Sequence, residues 1–271
     1  MAYDIPQYST DELVTYIQKN RLLTSGINNV KLAKSYGYGY LVYNLSLMPW
    51  KYSGYQTCPN GQSCHADCIG HKSGNNVFKT TQIAKIKRTQ AFFKVRDEFM
   101  RVLQEDLDKA SIRTIDTSIV VACRLNTYSD IQWESVAVTN TDNFIDRNYG
   151  TMFYDYTKLF SRVSVRACKR SNYDLTYSLS AQRHNMEHIN DIARYQRCAL
   201  VVSRDIYKKV KQNFSSDERF NRNGLNYYNG EEHDLTFIWP KNGVLVLKEK
   251  YVKTPQEPSP LVYRSLESIG L

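Results

Sequence analysis

No stretch of this chain approaches the roughly 20 consecutive apolar residues that a bilayer-spanning helix requires, which excludes a helical membrane span. The amino terminus, M-A-Y-D-I-P, lacks a basic region followed by an apolar one, so no secretory signal is expected. Without a leader, six cysteines in 271 residues point to thiols or metal ligands and away from a disulfide framework. A cytoplasmic site is the corresponding expectation. There is no internal repeat and no linker clear enough to divide the chain, so residues 1–271 are read as a single domain. Within it lie an amino-terminal helical region (1–27), a core (28–213) and a terminal part (214–271).

What is abundant is positive charge and tyrosine. The formal net charge is +9 and the sequence pI about 9.1. A balance of this kind favours a polyanionic partner, nucleic acid or a nucleotide before a membrane. The 21 tyrosines would either stack on bases or fill a core.

Along the chain, Ser9-Thr10-Asp11-Glu12 is a helix cap followed by Leu13, Ile17 and Leu22-Leu23 at helical spacing. Tyr40–Leu47 reads as a buried strand. Residues 77 to about 107 form a helical pattern, with Phe92, Val95, Phe99, Leu103 and Leu107 on one stripe and Lys79, Lys85, Lys87 and Arg88 as a basic first half. That half is either a solvated face or a phosphate- or carboxylate-binding one. Short strand-like runs follow at Ile119–Leu125, Met152–Tyr156, Asp174–Leu179 and Cys198–Val202, separated by helix-sized segments such as Asn185–Tyr195. Such alternation implies an α/β fold with mostly parallel strands, a full or partial (β/α) barrel. Phe214–Gly230 reads as a polar loop. Leu235–Trp239 and Val244–Lys248 read as a β-hairpin, and the tail from Thr254 as a loosely docked strap.

The densest chemistry lies in residues 57–74, T-C-P-N-G-Q-S-C-H-A-D-C-I-G-H-K-S-G. Cys58, Cys64 and Cys68 are separated by five and then three residues, directly after the first long strand. Three thiolates on one loop can converge on one ion or cluster. Two occupants suit them. An iron–sulfur cluster would use the three cysteines and keep one iron open, whereas zinc would add His71 or His65. Asp130, Glu134, Asp155 and Lys158 stand at or just after strand ends, where a barrel presents its working groups. His184 and His188 are four apart with Glu187 between them, a spacing unlike the hydrolytic zinc motif. His233 falls in a loop, and Cys123 and Cys198 fall in apolar runs as small core residues. Cys168 is isolated.

Several motifs occur in series: Asn28-x-x-Lys31-x-x-Lys34-Ser35, Cys58-Pro59 with Cys64 and Cys68, and Lys85-x-x-Arg88-Thr89. Arg124-Leu125-Asn126-x-x-Ser129-Asp130-Ile131-x-Trp133-Glu134, Phe153-Tyr154-Asp155-Tyr156-Thr157-Lys158, the Leu175–Ser180 strand and His233-Asp234-Leu235 follow. Together they resemble the bacteriophage gene product 88 family from about Asn28 to Lys250. That resemblance implies a phage protein of the host cytoplasm and names no reaction. A more distant resemblance, to radical-SAM enzymes of the spore photoproduct lyase type, lies in the order of a cysteine loop, Ser-Asp…Glu, Thr-Lys with Arg162 nearby, and a strand ending in serine. It implies a 4Fe-4S cluster on Cys58, Cys64 and Cys68 whose open iron binds S-adenosylmethionine. Asn126, Ser129, Lys85 and Arg88 would then be cofactor-binding, and Asp130, Glu134, Asp155 and Lys158 catalytic. The gaps of five and three differ from the three and two usual in that chemistry, and zinc is the alternative.

Overall fold

A computed structural model describes residues 5–138, 142–163, 170–252 and 259–271. Cys168 and two of the tail prolines, Pro255 and Pro258, lie outside the described residues. Among these residues, one ten-stranded sheet organises the molecule. Its strands are β1 (Leu23–Ser25), β2 (Tyr40–Leu45), β3 (Val120–Arg124), β4 (Met152–Thr157) and β5 (Tyr173–Ser178). The remainder are β6 (Arg197–Val202), β7 (Arg219–Arg222), β8 (Leu225–Asn229), β9 (Gly243–Lys248) and β10 (Val262–Tyr263).

From β2 to β6 neighbours in sequence are neighbours in the sheet, all parallel, and β9 and β8 extend the parallel part. Only β1 and β7 run antiparallel, at the two ends of the path, and no pairing joins those ends among the described residues. Right-handed crossovers between sequential parallel strands put their connecting helices on one face. The core obeys this. Tyr43, Leu45, Val121, Cys123, Phe153, Leu175, Cys198, Leu200, Val244 and Val246 share one buried cluster with helical residues such as Leu13, Phe92, Phe99, Leu103, Ile189 and Val210. Alternate residues, Val42, Ala122 and Tyr154, point to the other face and pack with Leu235.

The helices follow their sequence signals with two exceptions. Ser9 and Glu12 form a reciprocal cap, with the Glu12 N–H on Ser9 Oγ at 3.2 Å and the Ser9 N–H on Glu12 Oε2 at 2.8 Å, and open the Thr10–Lys19 helix. That helix stops before Leu22-Leu23. Both of their N–H groups bond Asp106 Oδ2, at 2.6 and 3.1 Å, and Leu23 begins β1. The long pattern after residue 77 is two helices, Lys79–Lys94 and Arg96–Ile112, because Val95 leaves the helical region at φ −133°, ψ 54°.

The terminal part departs most from expectation. The Leu235–Trp239/Val244–Lys248 hairpin does not form. Thr236–Ile238 is a 3-10 turn, and Phe237 packs edge-on against Tyr40 and Tyr154, at 4.9 and 5.2 Å. Arg197 takes the carbonyls of Trp239 and Pro240 that a hairpin would have paired. The apolar G-V-L-V-L run of β9 instead pairs in parallel with β6 and β8, as a strand buried on both faces does. The hairpin present is β7–β8, inside the segment read as a polar loop. Its turn residues Asn223 and Gly224 have φ of 54° and 79°, the left-handed pair that a tight hairpin demands and that the Asn-Gly dipeptide announces. The tail is firmly docked at its end: β10 pairs with β6 at Val262↔Val201 and Tyr263↔Val202, beyond the two positions where β5 pairs with β6. Tyr263 is 2% exposed and donates its hydroxyl to the His184 carbonyl at 2.9 Å.

Candidate metal centre and strand-end network

Because β2 to β6 are parallel, their carboxyl ends open onto one edge, where α/β sheets place ligands. The cysteine loop leaves β2 and is tied to the segment after β3. Asp130 donates its N–H to the Thr57 carbonyl at 2.8 Å, Thr57 Oγ1 bonds the Met48 carbonyl at 2.8 Å, and Cys58 Sγ approaches the Tyr128 carbonyl at 3.5 Å. The loop itself is built of short turns, Gln62–Asp67, Ile69–Lys72 and Gly74–Val77. Trp50 holds a left-handed φ of 48° and directs its N–H to Cys58 Sγ at 3.5 Å. Bulky residues seldom adopt that region, and such strain clusters at functional sites.

Aromatic rings support the two histidines of the loop. Trp50 stacks on His65 at 3.9 Å and 12°, and Tyr52 stacks on His71 at 4.2 Å and 20°. The W-K-Y triplet ahead of the cysteines is the signal that would have pointed to this floor. Gly70 is required by contact: a Cβ there would stand 2.6 Å from Tyr128 Cβ and Cγ. Gly70→Ala is therefore expected to cost about 1–3 kcal/mol by overpacking, read as a lower unfolding midpoint in urea.

The thiols share one electrostatic neighbourhood. Burial pushes Cys58 up to about 11 and Cys68 up to about 12, and each also feels Cys64. Cys64 is raised by burial and by Asp130 and Asp67, against the pull of Lys158. Two lysines act on them, Lys85 buried and Lys158 half-buried. Lys85 lies next to Cys68, and burial brings it down to about 8. Its Nζ bonds the Gly70 carbonyl and Asn76 Oδ1, the latter at 2.9 Å, and lies 5.0 Å from the Tyr128 ring centre. Lys158 lies next to Cys64 and is lowered by burial, with Cys64 and Asp130 opposing. Its Nζ bonds Ser178 Oγ at 3.1 Å and the Ser178 and Leu179 carbonyls at 3.2 and 3.3 Å, across the end of β5. Burial, and then Lys85 and Lys72, lower His71. Among the described residues no three His, Cys, Asp or Glu side chains stand close enough, as arranged, to hold a metal ion.

The strand-end carboxylates form a framework beside the thiols. Arg162, 3% exposed, grips Glu134 through two bonds of 2.7 and 2.8 Å and Asp130 through one of 2.6 Å. It also reaches Thr157 Oγ1 at 3.2 Å and the Tyr173 hydroxyl at 3.1 Å. The second Asp130 oxygen accepts the Lys158 N–H at 2.9 Å. Asp155, fully buried, accepts the Asn126 N–H at 2.8 Å and the Tyr173 hydroxyl at 3.1 Å. Asn126 in turn ties its own loop, its Oδ1 accepting Ser129 Oγ at 2.8 Å, the Ile131 N–H at 2.9 Å and Trp133 Nε1 at 3.3 Å. Asp130, Glu134, Asp155, Lys158, Ser129, Asn126 and Lys85 are thus gathered at one edge. Arg88 reaches another place, bonding the Arg21 carbonyl at 3.4 Å. Tyr173 and Ser178 were missed because nothing in their strand marks them.

Burial lifts the Asp155 carboxyl from 3.8 to about 7. A carboxyl raised in the folded state contributes stability below its unfolded value and loses it as pH rises through the folded one. Stability from this group is expected to decline between about pH 4 and about pH 7. Asp155→Asn, which cannot ionise, should remove that part of the slope in urea melts near pH 5 and near pH 8. An identical wild-type-to-variant difference at both pH values would count against it.

His184 packs by hydrogen bonds to the Ser180 N–H at 3.1 Å and the Tyr177 hydroxyl at 3.2 Å, ahead of the Met186–Ala193 helix, with the His188 ring 6.2 Å away. No helix among the described residues is long and apolar enough to cross a membrane. Neither the curated proteins nor the solved structures contain a match to this chain. A family model does match, covering residues 15–257, and by it the chain belongs to the bacteriophage Gene product 88 family.

Proposed function

We propose that the protein is a metal-centre enzyme on a partial barrel. In this reading Cys58, Cys64 and Cys68 carry a 4Fe-4S cluster used with S-adenosylmethionine on a nucleic acid or nucleotide. The observation that carries it is the placement of three thiols on one loop at the carboxyl edge of a parallel sheet, tied to the segment after β3 through Thr57 with Asp130 and Cys58 with Tyr128, and with Lys85 and Lys158 nearby. The donor set fits a cationic centre: burial, and then neighbouring thiols for Cys58 and Cys68, oppose ionisation, and a cation reverses that penalty and releases their protons. Since no three donors among the described residues stand at ligating distance as arranged, loading would entail a rearrangement of the loop. The partial barrel is supported by the sequential parallel order of β2 to β6 with helices on one face.

When bound, such a cluster supplies electrons for one-electron cleavage of the cofactor. The chain's own residues would do the rest. Lys158 and Lys85 would balance the negative charge of a thiolate-held centre. The Arg162–Asp130–Glu134 network would hold the mouth rigid, and Ser129 and Asn126 would shape its wall. The net charge of +9 and the cations Lys72, Lys85, Lys158 and Arg183 around this edge suit a phosphate-bearing substrate.

A second reading has one observation in its favour. His71 is three residues from Cys68, and burial favours its neutral form, the form that ligates zinc. A Cys58/Cys64/Cys68/His71 zinc site would make the protein a nucleic-acid binder with a structural metal. A glycosidic or base-exchange reaction on Asp130 and Asp155 gains less support, since each oxygen of both carboxylates already accepts a hydrogen bond. Anaerobic purification with iron, sulfide and zinc analysis is the test. Iron and sulfide in equal amounts support the first reading; a colourless protein with stoichiometric zinc and no sulfide overturns it.

A further inference from the structure

A separate cleft of about 240 Å³ lies between the Lys34–Tyr38 turn, the 216–218 segment and the chain from Glu232 to Trp239. It shares no residue with the thiol edge. Its walls are Tyr38, Ile238, Trp239 and His233, and its rim carries Asp217, Glu218 and Glu232. We propose that this cleft binds an organic cation, an alkylammonium or guanidinium group with a short apolar stem.

Charge is the first argument. The whole chain carries a formal +9, yet among the described residues three carboxylates and neither lysine nor arginine line this cleft. Two solvent-exposed cations meet the rim, Lys34 at Glu232 at 3.2 Å and Arg219 at Asp217 at 3.5 Å, while the less exposed Lys31 pairs with Glu231 and Asp234. Exposed pairs of this kind are weak and readily exchanged. Glu218 also accepts Asn229 Nδ2 at 2.5 Å.

The second argument is a buried polar group that the described residues leave unsatisfied. His233 is 4% exposed, and its Nδ1 has no hydrogen-bond partner among them. Orphaned buried polar atoms are rare in folded proteins. Burial and then Lys31 bring its imidazole down to about 4, so the ring is neutral and can accept a bond from an N–H donor. A cationic donor meets the rim, and a turn of the buried ring would present that atom to it.

The third argument is the wall. His233 stacks on Trp239 at 4.9 Å and 19°, Trp239 stacks on Tyr228 at 5.2 Å, and Tyr38 meets His233 edge-on at 4.8 Å. Aromatic faces attract cations and receive apolar stems. Glu218 sits at φ 55°, an unfavourable conformation for a non-glycine residue, so backbone strain is stored at the rim. A bare metal ion suits the cleft less well. No three His, Cys, Asp or Glu side chains among the described residues are placed to hold one, and aromatic walls give it nothing. The volume is smaller than the roughly 300–1,000 Å³ of drug-sized pockets, matching one side chain or the end of a polyamine.

The test is calorimetric titration of the full chain at low salt with spermidine, with a capped Gly-Arg-Gly peptide and with magnesium chloride alone. Saturable binding of spermidine or the peptide is expected, weakened about tenfold or more in the Asp217→Asn/Glu232→Gln double variant. Those rim residues are solvent-facing, and an unchanged thermal melt confirms that the variant folds. Trp239→Leu should weaken binding similarly. Tighter binding of spermidine assigns the site to a free polyamine, and tighter binding of the peptide assigns it to a docked basic side chain. No organic cation bound at millimolar concentration, binding unchanged in the rim variant, or magnesium bound in preference would each overturn the proposal.

Discussion

Cys64→Ser is expected to remove nearly all iron and sulfide from anaerobically prepared protein while leaving the chain folded. On the proposed reading Cys64 would be the middle ligand of the three, and it feels the charge of Lys158. A serine hydroxyl cannot supply the thiolate that such a cluster needs. The fold should survive because residues 49–90 contribute nothing to the main buried cluster, which passes from Leu47 to Ala91. The expected result is a fall from about four iron per chain to near zero, with a circular dichroism melt close to that of the parent. A structural zinc site predicts the opposite pairing. There the binding energy, of order 10 kcal/mol, is folding energy, and the variant would lose its cooperative melt. Metal content and melt together separate the two readings.

Arg162→Met is expected to be the most destabilising single change at this edge. Met fills similar volume but leaves Asp130 and Glu134, whose side chains are 8% and 14% exposed, without their cation. Removing one partner of a buried ion pair costs about 3–5 kcal/mol, and here one guanidinium serves two carboxylates. A midpoint fall on the order of 10 °C follows for a domain of this size. Arg162→Lys should recover only part of it, because an ammonium cannot bond Glu134 bidentately while reaching Asp130 and Tyr173. Asp130 also receives the Lys158 N–H and anchors the Thr57 carbonyl, so loosening it should expose the thiols. Faster modification of Cys58 and Cys64 by a disulfide reagent in folded Arg162→Lys would register this. Unchanged thiol reactivity would limit Arg162 to stability alone.

How far these features can be read in the chain depends on the range of the forces that make them. The Ser9–Glu12 cap and the strands Tyr40–Leu45, Val120–Arg124, Met152–Thr157, Tyr173–Ser178 and Arg197–Val202 rest on local spacing and apolar runs, and all lie close to where the sequence suggests. The β7–β8 hairpin was legible in Asn223-Gly224 and was passed over because its flanks, R-F-N-R and L-N-Y-Y-N, are too polar to announce strands. The break at Val95 was hidden because an apolar stripe continues through it. Leu235–Trp239 misleads for a different reason: an apolar run of five residues serves equally as a strand or as a plug over a sheet face, and only the packing of Phe237 against Tyr40 and Tyr154 decides.

The chain's own residues determined the thiol spacing, the positive charge, the alternation of strands and helix-sized segments, and the candidates at strand ends. Each of these is a property of near neighbours. The tertiary structure alone decided which edge the strand ends share, that Arg162 joins Glu134 and Asp130 across 28 and 32 positions, and that Lys158 spans to Ser178. It also decided that the tail completes the sheet beside β6. Such pairings depend on which buried charges and open strand edges meet in space, and no periodicity in the chain encodes a partner that distant.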